Sequence, residues 1–239
     1  MIFSLASLSA HNLEQAVNSE DRSPDNVARD IYRHPYETLS FFGIKPDMTV
    51  VELNPGGGWY TEILANYIHY PGTLITAQGS YYFEGFEKKM NSNPMYGRVE
   101  IVNLNSNLAE PNSVDAVITF RNLHNWLGAD MDSIFRSSFK ALKPGGSFGV
   151  VEHRAKPGTD FETMKTSGYV TEDHAIEVAL KHGFELVEKS EINANPKDTK
   201  DHAKGVWTLP PTYRLKNKDR DKYSAIGESD RMTLLFKKP

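Results

Sequence analysis

The stretch VVELNPGGGWYT at residues 50–61 decides the fold class of this chain. It begins as a buried strand that ends in an acid, continues through three glycines, and leads into a segment that favours a helix. Glycine lets the backbone turn sharply and approach a ligand closely, and the start of a helix offers unpaired N–H groups. Such a turn predicts a nucleotide-type ligand, with a purely structural turn as the alternative.

Short apolar runs alternate with helical segments on both sides of this stretch. The predicted strands are 48–53, 74–77, 99–104, 114–120, 147–152, 184–189 and 232–236, and the predicted helices between them include 59–68, 83–90, 131–142 and 175–182. This alternation predicts an α/β fold, in which right-handed crossovers place helices on both faces of a mostly parallel sheet. Ligands of such sheets bind at the carboxyl ends of the strands.

Composition excludes several classes of protein. The chain has 239 residues and a formal net charge of -4, so no overall basic character marks it as a nucleic-acid binder. It contains no cysteine, which removes thiolate nucleophiles, disulfides and cysteine-ligated metals. No apolar run reaches the length of a membrane span.

Residues 1–10 (MIFSLASLSA) are apolar and rich in small residues, which is typical of a truncated signal peptide; a flexible N-terminus is the alternative. The predicted compartment is therefore either the cytoplasm or, if these residues are a truncated signal, the periplasm. The sequence does not determine the oligomeric state. The rest is predicted as one domain, 11–239, whose parts are an N-terminal helical lid at 11–47, a cofactor-binding core at 48–155, and a C-terminal part at 156–239 with a substrate-side loop at 193–223.

The residues around the glycines narrow the choice of ligand. A phosphate-binding P-loop needs a lysine after its last glycine, and Trp59 stands there. A dinucleotide loop needs a third glycine where Thr61 stands, and an acid at the end of the second strand where Gln78 stands. Trp59 and Tyr60 would also crowd a pyrophosphate. An adenosine ligand without phosphates remains, and an NAD-dependent oxidoreductase is disfavoured.

Three motifs in order resemble the class I S-adenosylmethionine-dependent methyltransferases: the glycine stretch, VDAVI at 114–118 followed by RNLHNW at 121–126, and LKPGG at 142–146. More narrowly, the chain resembles a bacterial group of predicted methyltransferases that often carry export signals. The resemblance implies a Rossmann-like seven-stranded sheet that ends in an antiparallel strand. It also implies transfer of a methyl group from S-adenosyl-L-methionine to a small-molecule acceptor, with no nucleic-acid partner.

The resemblance implies roles for individual residues. Gly56 and Gly58 would pass under the cofactor, Glu52 would face its ammonium group, and Gln78 replaces the acid that binds the ribose. Asn105 would read the adenine amino group. The full predicted cofactor set is Glu52, Asn54, Pro55, Gly56, Gly58, Tyr60, Thr61, Gln78, Asn105, Arg121 and Asn122.

His124 is the candidate base, since an imidazole can take a proton near neutral pH; a purely structural histidine is the alternative. His153 and Tyr169 are further catalytic candidates. Arg121 would lie beside the positively charged sulfur of the cofactor. An arginine suits this position only if its side chain points toward an acidic substrate or pairs with Glu52. No metal site is predicted, because no metal-ligand spacing such as His-Glu-x-x-His is present.

A second hypothesis is a binding protein of the same fold without catalysis. Gln78 and Asn54 motivate it, because both depart from the pattern of the family. Fold by itself does not establish function.

Overall fold

The structure of the protein, a computed structural model, describes residues 12–239 apart from the side chain of Tyr82. The segment 1–10, interpreted above as a signal remnant or flexible N-terminus, lies outside the described residues.

Within that range the seven strands form a single sheet in the order β3-β2-β1-β4-β5-β7-β6. Strands β1 to β5 run parallel, and β7 runs antiparallel to β5 and β6. The strands are β1 Thr49–Leu53, β2 Thr73–Gln78, β3 Val99–Asn103, β4 Val114–Phe120, β5 Leu142–His153, β6 Glu185–Ser190 and β7 Arg231–Lys237. The predicted Rossmann-like seven-stranded sheet, with its antiparallel strand, is confirmed.

Helices cover both faces of this sheet. They are α1 Leu13–Val17, α2 Pro24–Val27, α3 Asp30–Arg33, α4 Pro35–Phe41, α5 Trp59–Tyr67, α6 Phe83–Asn91, α7 Leu123–Trp126, α8 Ala129–Ala141, α9 Phe161–Ser167, α10 Glu172–Lys181 and α11 Arg220–Ile226. No helix of residues 12–239 is both long and apolar enough to cross a membrane.

The side chains of β1 point alternately into two separate clusters of the hydrophobic core. Val51 and Leu53 point into one cluster, with the helices α8 and α10, whereas Val50 points into the other, with α1, α4 and α5. Successive side chains of a strand point to opposite faces, so a strand buried on both faces is apolar almost throughout. This is why β1 has apolar residues on both of its faces, at Val50, Val51 and Leu53.

The structure departs from the predicted elements at β5, which begins at Leu142 instead of residue 147 and includes the LKPGG motif. The reason is a pairing that the local sequence does not show: the N–H of Gly145 donates to the carbonyl of Lys238 at 2.7 Å, and the N–H of Lys238 donates to Gly146 at 2.9 Å. The pairing of β4 with β5 shifts register in the same region.

Candidate active site

The sheet order places two loops opposite each other. Strand β1 lies between β2 and β4, so the chain passes to either side of β1 and a crevice opens at its carboxyl end. The glycine loop follows β1, and residues 121–122 follow β4. The crevice therefore lies between these two loops.

Positive backbone angles shape the glycine loop. Gly56 has φ 60° and Gly58 has φ 76°, and a left-handed backbone favours glycine. A Cβ atom at Gly56 would meet nothing within 4 Å, and the same holds at Gly57, whereas one at Gly58 would lie 3.2 Å from the ring of Phe86. Gly56 and Gly57 thus present open backbone to a ligand, and Gly58 allows close packing against α6.

Two asparagines join the loops across the crevice. The Asn54 amide donates to Asn122 Oδ1 at 2.9 Å, and the Asn122 amide donates back to the carbonyls of Leu53 at 3.1 Å and Asn54 at 3.2 Å. Asn54 itself has φ 47°, a conformation that asparagine adopts more readily than most residues. Asn54, which departs from the pattern of the family, therefore connects the end of β1 to the end of β4.

Gln78 makes two hydrogen bonds to the backbone of the glycine loop. Its amide oxygen accepts from the N–H of Gly56 at 3.4 Å, and its amide nitrogen donates to the carbonyl of Gly56 at 3.2 Å. The side chain is 0% exposed, so both polar atoms serve the protein and neither faces a cavity. The ribose contact that the resemblance implies for Gln78 stays a prediction, and it requires this side chain to change partners.

Glu52 lies beneath the loop. It is 2% exposed, and its carboxylate accepts from the Thr61 hydroxyl at 2.6 Å. Burial raises the pKa of Glu52 to about 7, against the smaller opposing effects of the Thr61 hydrogen bond and the charge of Lys89. In the structure the side chains of Glu52 and Thr61 contact each other, and neither residue lines the cavity described below. The cofactor contacts expected of them stay predictions.

This shift predicts a dependence of stability on pH. A carboxyl group whose pKa is higher in the folded than in the unfolded state loses stability as pH rises from the unfolded value of 4.5 through about 7. Glu52→Gln, which keeps an oxygen for Thr61, is expected to gain up to about 3 kcal/mol over the natural protein at pH 8 and little at pH 4.5. Urea unfolding at both pH values measures the difference.

The control for this experiment is Glu185→Gln, because that carboxylate is 55% exposed and pairs with Lys237 at the surface. Its effect on stability should stay small at either pH. A gain for Glu52→Gln that is equal at pH 4.5 and pH 8 would contradict the raised pKa.

A cavity of about 340 Å³ opens beside the glycine loop. Three groups of residues line it: the loop from Asn54 to Gly57, the end of β4 with Arg121 and Asn122, and two histidines, His124 and His153. Helix α3 and the segment 206–212 close it on the other sides, including Trp207 and Arg33. The cavity thus brings predicted cofactor residues and predicted catalytic residues to one place.

His124 faces a carboxylate that sequence reasoning missed. Its Nδ1 lies 3.0 Å from Glu152 Oε1, and Glu152 is 0% exposed. Backbone N–H groups of Leu123 and His153 also donate to this carboxylate. Because an ionised carboxylate only accepts, the hydrogen of the neutral imidazole lies on Nδ1, which leaves Nε2 free to accept a proton. Glu152 stands 28 positions from His124, and no short motif links them.

His153 has a different environment from His124. Its Nδ1 lies within hydrogen-bond distance of the Ser229 hydroxyl, and the two imidazole ring centres are 5.3 Å apart. Burial, followed by the nearby charges of His124, Arg231 and Arg121, lowers the pKa of His153 well below its usual value. His153 is therefore neutral at physiological pH, and of the two histidines only His124 has a carboxylate to stabilise a positive charge.

Several predicted residues lie away from the cavity. Tyr169 is 1% exposed and donates its hydroxyl to Asp198 at 3.0 Å, which gives it a partner within the core. Tyr60 stacks on Phe120 with ring centres 3.5 Å apart and donates to the carbonyl of Arg33 at 3.1 Å. Asn105 is exposed in a turn where its N–H donates to Asn103. Packing thus gives Tyr169 and Tyr60 structural partners.

One group among residues 12–239 has the composition of a metal site. The ligand atoms of His124, Glu152 and His153 all lie within 4.8 Å of one another. Both carboxylate oxygens of Glu152 already accept hydrogen bonds, and His153 Nδ1 faces Ser229. The prediction of no metal therefore stays a prediction, and the hydrogen bonds account for the arrangement of these three residues.

Part of the chain matches a known protein family by sequence. Residues 51–150 match the methyltransferase domain family. At the level of sequence, no curated protein matches the chain.

Solved structures share the fold at low sequence identity. An S-adenosylmethionine-dependent methyltransferase from Aquifex aeolicus is 16% identical with a TM-score of 0.59, over 76% of this chain and 93% of that one. A geranyl diphosphate C-methyltransferase from Streptomyces coelicolor A3(2), solved with Mg²⁺, geranyl diphosphate and S-adenosyl-L-homocysteine, is 11% identical with a TM-score of 0.61, over 94% and 87%. The 4+2 cyclase SpnF is 16% identical with a TM-score of 0.62, over 95% and 91%.

Residues 51–150 are similar to the methyltransferase domain family, and the chain has the fold of the class I S-adenosylmethionine-dependent methyltransferases. The cofactor of this class is S-adenosylmethionine. The glycine loop fits that cofactor, because the backbone of Gly56 and Gly57 is open where a Cβ would project and both residues line the cavity. Membership of the exported bacterial group stays a prediction.

Proposed function

We propose that this protein is a methyltransferase that uses S-adenosylmethionine to methylate a small molecule at a hydroxyl, amine or ring nitrogen that His124 deprotonates. The observation that carries the proposal is the shared cavity: the open glycine loop and the imidazole of His124 line the same space of about 340 Å³. This volume lies within the range of small-molecule binding sites.

S-adenosylmethionine, when bound, supplies an electrophilic methyl group. Asn54, Pro55, Gly56 and Gly57 would hold it along the crevice, with Asn122 on the opposite side. Methyl transfer depends chiefly on alignment of the acceptor with the methyl group and the sulfur, and a cavity that holds both ligands side by side favours that alignment. The hydrogen bonds between Asn54 and Asn122 keep the two loops at a fixed separation.

His124 Nε2 would take the proton that the acceptor loses as its new bond to carbon forms. Glu152 then stabilises the imidazolium, because its buried carboxylate already accepts the Nδ1 hydrogen. The pair is held by backbone N–H donors on the carboxylate, so the ring does not need to reorient during the reaction. General-base catalysis of this kind contributes about 10²–10⁴-fold to rate.

Isothermal titration with S-adenosyl-L-homocysteine, S-adenosyl-L-methionine and NAD tests the cofactor. We expect saturable binding of the first two only. Gly56→Val should weaken binding of S-adenosyl-L-homocysteine at least tenfold, because its side chain would project from the open face of the loop.

Gly158→Val is the matched control for this variant. Gly158 also has a positive φ, 77°, and open space around its Cβ, but it lies in an exposed loop outside the cavity. The two variants therefore share the backbone strain and differ only in location. Equal affinity in Gly56→Val and the natural protein would refute the loop assignment.

The second candidate, a non-catalytic binding protein of the same fold, has one specific observation in its favour. Gln78 and Asn54 use their polar atoms on the protein itself, so the crevice offers a cofactor fewer side-chain contacts than expected. The two candidates differ in turnover: binding of S-adenosyl-L-methionine without product from a broad panel of acceptors would favour the binding protein.

A further inference from the structure

We propose that the cavity binds the acidic group, a phosphate or a carboxylate, of the methyl acceptor through a cluster of four arginines. This inference rests on the proposed function and names its substrate class. The cluster consists of Arg29, Arg33, Arg121 and Arg231, all of which line the cavity.

The charges in this cluster do not balance. Among the described residues that line the cavity, four arginines face a single carboxylate, Glu228. That carboxylate contacts Arg29 at 2.6 Å, Arg33 at 3.3 Å and Arg231 at a shorter distance. The lining residues therefore carry three more positive charges from arginine than negative charges from carboxylates.

Unpaired donors lie within the same cluster. Arg33 is 2% exposed, and neither of its terminal nitrogens, Nη1 and Nη2, has a hydrogen-bond partner among the described residues. Arg29 Nη2 and Arg231 Nε are also buried without a partner there. An unsatisfied buried donor costs about 1–3 kcal/mol, and more when it is charged, so a bound anion that accepts these hydrogen bonds would remove that cost.

Arg121 adds a second, independent observation. Its backbone is left-handed, with φ 63°, which strains a residue other than glycine and is common at functional sites. No carboxylate pairs with Arg121 among residues 12–239, and the predicted alternative of a pair with Glu52 is replaced by the contact of Glu52 with Thr61. Burial and the charge of Arg231 lower the pKa of Arg121 to about 10.

The cofactor alone does not supply the missing negative charge. S-adenosylmethionine carries one carboxylate but also an ammonium and a sulfonium group, so it is a net cation and would add to the positive charge of the cavity. A planar guanidinium binds phosphate and carboxylate oxygens in pairs, and several together suit a multiply charged anion. The acceptor is therefore the component that must bring the anion.

The position of the cluster also explains how an acceptor is oriented. His124, His153 and Arg121 line one cavity, so an acceptor held by its acidic group would present another atom to the base. Binding energy from a group that does not react can thereby align the group that does.

Thermal-shift and calorimetric titrations of the full chain test this site with inorganic pyrophosphate and with malonate, which separate the phosphate source from the carboxylate source. At least one of the two is expected to bind and to raise the melting temperature. Arg121→Gln should weaken that binding at least tenfold. This variant is expected to fold, because it removes one of several mutually repelling charges and breaks no ion pair of the described residues.

Arg136→Gln is the matched control, since Arg136 is exposed on α8, away from the cavity. Binding of the anion should be unchanged in this variant. The proposal is overturned if neither anion binds the natural protein, or if the anion binds Arg121→Gln as tightly as the natural protein.

S-adenosyl-L-homocysteine serves as the third probe and separates the two proposals. The inference assigns Arg121 to the acceptor instead of the cofactor set in which the resemblance places it, so Arg121→Gln should bind S-adenosyl-L-homocysteine within threefold of the natural protein. A tenfold loss of this binding, with no effect on the anions, would assign the arginine to the cofactor and overturn the inference. Anion binding that depends on Arg121, together with no binding of S-adenosyl-L-homocysteine at all, would leave the anion site standing and refute the proposed function.

Discussion

Replacement of Glu228 by glutamine is expected to lower the free energy of unfolding by about 3–5 kcal/mol, because the variant leaves buried charges without their partner. Glu228 is 2% exposed and contacts the guanidinium groups of Arg29, Arg33 and Arg231. Glutamine keeps the shape and one acceptor oxygen but removes the negative charge. Urea unfolding at pH 7 measures the loss.

Glu228 should also affect how the stability of the natural protein depends on pH. Burial by itself would raise the pKa of Glu228, but the charges of Arg231, Arg33, Arg121 and Arg29 together outweigh it and lower the pKa to about 2. The stabilisation by this carboxylate is therefore complete above the ordinary value of 4.5 and is lost as pH falls toward 2. Glu228→Gln should flatten this part of the stability curve.

Glu191→Gln provides the comparison. Glu191 also pairs with an arginine, Arg154, but its side chain is 68% exposed and Arg154 keeps Glu172 and Asp230 as partners. Its loss should change stability by less than about 1 kcal/mol. Equal effects of the two variants would mean that the arginines at the cavity do not depend on Glu228.

The second large effect is expected in catalysis: His124→Asn should lower the rate of methyl transfer by about 10²–10⁴-fold. Asparagine can occupy part of the same space but cannot take a proton near neutral pH. The assay is formation of S-adenosyl-L-homocysteine from S-adenosyl-L-methionine over a panel of acidic hydroxyl and amine acceptors. Affinity for S-adenosyl-L-homocysteine should stay within threefold, because His124 is assigned to the acceptor.

His182→Asn is the control, since His182 also contacts a carboxylate, Asp132, at 2.8 Å but lies outside the cavity. Its rate should equal that of the natural protein. A rate for His124→Asn within threefold of the natural protein would show that alignment alone drives the transfer and that no base is needed.

The solved structures explain why these experiments must address the site and not the fold. One structure of similar fold is an S-adenosylmethionine-dependent methyltransferase, and another, the 4+2 cyclase SpnF, bears the name of a different reaction. Both have TM-scores near 0.6 and 16% identity to this chain. Residues around the cavity, and not the sheet, therefore carry the argument for the reaction.

Parts of the candidate site were predictable because they follow β1 or β4 directly. Gly56, Asn54 and Asn122 lie at strand ends whose apolar pattern is clear in the sequence, and parallel strands bring such ends together. The hydrogen bonds of Gln78 could not be predicted in the same way. Its partner is the backbone of Gly56, and backbone groups leave no mark in the sequence.

The sheet, the glycine loop and the class of fold could be predicted from the sequence, because strand alternation and backbone freedom at glycine are local properties of the chain. The contacts between side chains in the cavity could be identified only in the folded structure. Glu152 meets His124 across 28 positions, and the arginine cluster gathers residues from α3, the end of β4 and the start of β7. Such groups interact through space, so their charges and pKa values depend on neighbours that are distant along the chain.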